Sequence, residues 1–179
     1  WDMIPPDTMP DCELMYTAQW TANSYIVSFN GNSGSNTGAV TVIYDSQYPA
    51  LAESIRTGYT FRGWYTDAQG GIRVEEGDPV AITENITLYA QWEPISCTVS
   101  FDLNGIKGED PESITVTYDQ PYGNLPEVTE VKTGYHFTGW HTASNGGELI
   151  TGNMIVEITN DTTLFTQLAP NTYTVKFDA

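Results

Sequence analysis

The segment Gly58-Tyr-Thr-Phe-Arg-Gly-Trp64-Tyr-Thr66 returns as Gly134-Tyr-His-Phe-Thr-Gly-Trp140-His-Thr142, with six of nine residues unchanged, so the chain is built from copies of one module. Two further landmarks track the copies. Tyr25-Ile-Val-Ser-Phe29, Cys97-Thr-Val-Ser-Phe101 and Tyr173-Thr-Val-Lys-Phe177 each open a unit. Tyr16-Thr-Ala-Gln-Trp20, Leu88-Tyr-Ala-Gln-Trp92 and Leu164-Phe-Thr-Gln-Leu168 each close one. From Gly58 to Trp92 and from Gly134 to Leu168 the separation is 34 residues, whereas Phe29 to Gly58 is 29 and Phe101 to Gly134 is 33. A stretch of fixed length behaves as paired scaffold and one that absorbs insertions as surface loop.

These landmarks divide the chain into 1–20, the last third of a preceding repeat; 21–93 and 94–169, two complete repeats; and 170–179, the first strand of a following one. A period of 72 to 76 residues is longer than that of solenoid repeats, which cannot bury a core alone, so each unit is expected to fold as a bead on a string. A domain of that size has little apolar area to spare. Five Trp, eleven Tyr and six Phe supply it, since aromatic rings bury the most surface per residue.

Period-two alternation marks the strands. Tyr25, Val27 and Phe29 share one face, as do Cys97, Val99 and Phe101. A Gly/Asn/Ser turn cluster follows at 30–38, then a second strand at Val40, Val42 and Tyr44, matched by Ile114, Val116 and Tyr118, which makes a hairpin. The crossover after it predicts a short helix following Pro49 in the first unit and an irregular path past Pro126 in the second. The Gly-Tyr-x-Phe-x-Gly-Trp segment reads as a third strand with a bulge at Gly63 and Gly139. A short strand then follows Gly70-Gly71 and Gly146-Gly147, and the closing strand sets Ile86, Leu88, Ala90 and Trp92 on one face. Four-residue linkers at 21–24, 93–96 and 169–172 are short enough to force neighbouring units to touch. The fold class is mainly β, α+β at most.

A balance of 23 acidic to 6 basic residues, a net charge of -17, repels phosphate backbones and anionic headgroups, so nucleic acid is excluded as a partner. No apolar run is long enough for a membrane helix, and no direct membrane insertion is expected in this segment. Cys12 and Cys97 occupy unrelated places in the repeat, which argues against a disulfide framework; Cys97 stands as a small apolar substitute for Tyr25 on a core face.

Recurrence between copies separates module chemistry from incident. His136 and His141 stand where the first unit has Thr60 and Tyr65, so no catalytic residue is assigned. The acidic clusters at Glu75-Glu76-Gly77-Asp78 and Glu109-Asp110-Pro111-Glu112 lack calcium-loop spacing and fall at different places, so no metal or other cofactor is expected. The recurring residues are structural: Gly58, Tyr59, Phe61, Gly63, Trp64 and Trp92 in the first unit, and Gly134, Tyr135, Phe137, Gly139 and Trp140 in the second. Tyr59, Trp64, Tyr135 and Trp140 fit core packing better than a sugar-stacking platform. Asn85-Ile-Thr87 and Asn160-Asp-Thr162 match a glycosylation acceptor pattern that an Asn- and Thr-rich chain also produces by chance.

Together the opening strand, Gly58-Tyr-Thr-Phe-Arg-Gly-Trp64 and Ile86-Thr-Leu-Tyr-Ala-Gln-Trp92 resemble the Listeria-Bacteroides repeat, also called the internalin B-type B repeat; Trp1-Asp2-Met3 resembles its Trp-Asp-Phe element. Leu168 departs from the family's closing Trp, as Tyr16-Thr17 departs from its Leu-Tyr. The resemblance implies tandem β-grasp-like modules in secreted or cell-surface microbial proteins. On that basis the expected role is a non-enzymatic spacer whose partners are neighbouring repeats. The alternatives are an adhesin-type module for a host protein or glycan, gaining avidity by repetition, and a segment of an extracellular filament.

Overall fold

A computed structural model describes residues 17–178. The first sixteen residues, with Cys12, the Trp1-Asp2-Met3 element and most of the preceding-repeat fragment, lie outside the described residues. Ten strands form two five-stranded sheets. The first sheet contains β1 (Ser24–Asn30), β2 (Val40–Ile43), β3 (Tyr59–Tyr65), β4 (Arg73–Val74) and β5 (Ile86–Pro94), in the order β2-β1-β5-β3-β4. The second repeats it with β6 (Ser96–Asp102), β7 (Ile114–Thr117), β8 (Tyr135–His141), β9 (Leu149–Ile150) and β10 (Thr162–Pro170), in the order β7-β6-β10-β8-β9. In each, the opening and closing strands lie side by side and parallel at the centre, and every other pairing is antiparallel. The fold is all-β, two small tandem domains with the sheet pattern of a β-grasp module.

Each sheet owns a separate core, on the face to which the alternating apolar residues point. Val27, Phe29, Val42, Tyr48, Trp64, Val80, Leu88 and Ala90 fill the first, and Cys97, Val99, Phe101, Val116, Tyr122, Trp140, Val156 and Leu164 are among those that fill the second. Cys97 is buried at the place of Tyr25, as its apolar reading requires. Burial, with the nearby Asp161 carboxylate, also raises the Cys97 thiol pKa.

The Phe-x-Gly-Trp spacing has a geometric cause. Residues three apart on an unbroken strand point to opposite faces. A one-residue bulge at Arg62, between Phe61 opposite Trp92 and Gly63 opposite Gln91, returns Phe61 and Trp64 to the same face. Their rings then meet edge to face at 5.3 Å, and Phe137 and Trp140 do the same at 5.6 Å. The bulge needs glycine: Gly63 has φ 121° and a Cβ there would meet the Arg73 side chain at 2.7 Å, while Gly139 has φ 131° and lies under the Leu149 side chain.

Two expectations are corrected. Among the described residues there is no helix, including the one expected after Pro49. The backbone groups a helix would pair internally are taken elsewhere: the Ala52 carbonyl accepts the Trp64 indole N–H at 2.9 Å, the Ile55 N–H donates to Ser35 Oγ at 2.9 Å, and the Ile55 carbonyl accepts the Ser35 N–H at 2.9 Å. The crossover is therefore stretched over the core as a cover, and in the second unit the Pro126 carbonyl accepts the Trp140 indole N–H at 2.7 Å in the same way. The expected four-residue linker also contracts. β5 runs to Pro94 and β6 starts at Ser96, so Ile95 alone stands between the two sheets.

Candidate functional site

The recurring signature residues divide by location. Trp64 and Trp140 are almost wholly buried, 2% and 1% exposed, while Phe61 and Phe137 are half-buried against them. Trp92 is half-buried, packs on Phe61 at 5.4 Å and donates its indole N–H to the Gly31 carbonyl at 3.0 Å. Tyr59 and Tyr135, expected in the core, belong to neither core. They start β3 and β8 at the end of each sheet where the next unit begins, and Gly58 and Gly134 turn the chain just before them with φ 77° and 81°.

Between the two units this end becomes a built contact. Ile95 donates its N–H to the Gly58 carbonyl of the first unit at 2.9 Å, and its own carbonyl accepts the Tyr118 N–H of the second at 2.9 Å. The Tyr118 ring lies directly over Gly58, where any Cβ would collide with it. It also meets the Tyr59 ring edge to face at 5.7 Å. The Tyr59 hydroxyl donates to Asp119 Oδ2 at 2.9 Å, and the Arg56 guanidinium stacks over the Tyr59 ring, 3.6 Å from its centroid. That hydrogen bond is the largest of the influences that lift the Tyr59 hydroxyl above the ordinary tyrosine range, followed by partial desolvation. The backbone of one residue, Ile95, and the side chains of Tyr59, Tyr118 and Asp119 thus tie the repeats together.

The other polar candidates do not converge. His136 Nδ1 lies 2.9 Å from Asn171 Oδ1, whereas His141 Nδ1 is buried without a partner. Among the described residues no group of three or more His, Cys, Asp or Glu is placed to hold a metal ion. Asn85 is engaged structurally, its Oδ1 accepting the Ile26 N–H at 2.8 Å, and Asp161 does the same for Thr98 at 2.7 Å. Where Trp92 covers its turn in the first unit, the shorter Leu168 stands beside an open groove of about 660 Å³ in the second, lined also by Ile106, Lys107, Glu130, Val131 and Lys132.

One recurring pair escaped the sequence reading. Asn32 and Asn104, each three residues past the opening strand's buried Phe, hold left-handed backbone at φ 45° and 54° and stitch three segments together through their amide nitrogens. Their matching positions after Phe29 and Phe101 were the available signal.

The comparisons agree with this geometry. The model of the Listeria-Bacteroides repeat domain matches twice, over residues 25–91 and 98–167. The chain is 32% identical over 183 residues to a protein of Evansella cellulosilytica inferred to be a membrane protein, covering 99% of this chain and 26% of that protein. It is 30% identical over 167 residues to a Gly-rich protein of the same organism, also inferred to be a membrane protein, covering 90% of this chain and 18% of that one. Against internalin H of Listeria monocytogenes it is 34% identical over 119 residues, covering 65% of this chain and 20% of internalin H. The chain therefore spans about a quarter or less of the length of these relatives. Two matched repeats, on the same two sheets that the strand pairing defines, place this chain in the Listeria-Bacteroides repeat family.

Proposed function

We propose that these repeats are a non-enzymatic structural spacer in an extracellular, secreted or surface-attached microbial protein, with neighbouring repeats as their first partners. The observation that carries this reading is the junction, where a single residue, Ile95, separates one sheet from the next and is hydrogen-bonded to both. A flexible tether between independent binding modules would need free chain there. Recurrence supports the same reading: outside the joint, three exposed apolar side chains of the first unit have polar counterparts in the second, since Thr98 stands at the place of Ile26, Thr117 at that of Ile43 and Glu148 at that of Ile72. A ligand platform common to the module would recur. The names of the relatives, membrane protein and internalin, favour a setting at the cell surface.

Small-angle scattering of the chain tests the spacer. An elongated particle with one dominant inter-repeat distance is expected, and a broad distribution of distances would overturn it. A second reading, a module that contacts a host protein or glycan, is favoured by the groove beside Leu168.

A further inference from the structure

Each repeat carries two poles, and the two copies present them in different states. At the rear, Arg56, Gly58 and Tyr59 correspond to Lys132, Gly134 and Tyr135; at the front, Tyr118 and Asp119 correspond to Tyr44 and Asp45. One rear and one front meet at the junction. Among the described residues the other two are open: Tyr44 is 43% exposed, and nothing lies within 4 Å of where a Cβ on Gly134 would stand, whereas the same point on Gly58 is filled by the Tyr118 ring.

The open poles keep the docked shape. Asp45 holds φ 66° and Asp119 φ 63°, and each donates its N–H at 2.9 Å, to the carbonyls of Val80 and Val156. A non-glycine residue held there costs energy unless its surroundings fix it, so the backbone of the open front corner is already set in the conformation of the docked one. At the open rear, Lys132 Nζ already sits 4.9 Å over the Tyr135 ring, as Arg56 sits over Tyr59. The backbone half of the joint is also in place, with the Asn171 N–H on the Gly134 carbonyl at 2.8 Å and the Tyr44 N–H on the Asn23 carbonyl at 2.8 Å.

We infer that Lys132–Gly134–Tyr135 is a docking pole for the Tyr-Asp corner of a following repeat and Tyr44–Asp45 a docking pole for the basic-stacked Tyr of a preceding one, so that successive repeats join head to tail at one fixed orientation. This heterologous contact rests on the spacer reading and names its partner: a repeat of the same design. Because front and rear are different surfaces, the contact passes from one repeat to the next instead of pairing two repeats face to face.

The test prolongs the intact chain from Asp178 with a copy of residues 103–169 and compares inter-repeat orientation by residual dipolar couplings. Both joints are expected to share one orientation. Tyr135→Phe should loosen the second joint in the prolonged chain and change nothing in the 179-residue chain, whereas Tyr59→Phe should loosen the first joint in both. A third repeat that tumbles independently, or a second joint indifferent to Tyr135→Phe, would overturn the docking poles. Scattering on the same samples separates the two ideas, because an elongated particle with one dominant inter-repeat distance but differently oriented joints keeps the spacer and removes the poles, whereas a broad distribution of distances removes both.

Discussion

The side-chain amide of Asn32 donates to the Ala90 carbonyl at 3.0 Å and to the Ala68 carbonyl at the same distance, joining the opening turn, the closing strand and the loop after β3. Asn32→Ala leaves two carbonyls without this donor and asks a Cβ-bearing residue with no local hydrogen bond to hold a left-handed φ. A loss of about 2 kcal/mol in the first repeat is expected. Denaturant unfolding followed at first-repeat amides measures it, and an unchanged midpoint would refute the role given to Asn32.

Trp64→Ala and Trp140→Ala should each cost their own repeat about 3 to 5 kcal/mol, enough to unfold a domain of this size. The two cores are separate, so the loss should stay in one repeat. Hydrogen exchange decides the matter, and equal loss of protection in both repeats after one substitution would contradict the separation.

The joint should loosen at alkaline pH. Tyr59 has a folded-state pKa above its unfolded value, so its contribution is fully present below the ordinary tyrosine value near 10 and is lost as pH rises through the folded value. A tyrosinate next to the Asp119 carboxylate can no longer donate, and the two charges repel. Inter-repeat orientation followed by residual dipolar couplings should hold from neutral pH to about 9 and degrade above 10, with Tyr59→Phe removing the dependence.

Leu168→Trp should fill the groove that the first repeat closes with Trp92. Added ring area against Ile106 and Val131 is expected to stabilise the second repeat by about 1 kcal/mol. Thermal unfolding of the second repeat would register it, and a destabilised repeat would show that the neighbouring loop has repacked around leucine.

Much of the sheet was legible because its residues report their own environment. Val27 and Phe29, or Val99 and Phe101, alternate with polar neighbours, and Gly63 announces a bulge by standing in a strand. The crossover was less legible because its path is set by partners distant in sequence: Trp64 and Ser35 compete for the groups at Ala52 and Ile55, and local propensity carries no trace of them. The role of Tyr59 was hidden for the same reason. Its recurrence with Tyr135 reads as packing, while the residues that give it a use, Tyr118 and Asp119, belong to the next repeat. Among the site residues, those serving one core could be read from one copy, and those serving the joint needed two.

The parallel pairing of β1 with β5 has a mechanical consequence. The chain enters a repeat at the start of β1 and leaves at the end of β5, and in a parallel pair those points lie at opposite ends of the shared ladder, which runs from Val27 opposite Ile86 to Asn30 opposite Tyr89. Tension along the chain therefore loads these bonds in shear, all at once, whereas an antiparallel pair pulled from one end would unzip bond by bond. A repeat pulled from its two ends in a single-molecule instrument should yield abruptly at high force, one repeat at a time, so the tandem repeats would carry load as a series of brittle links.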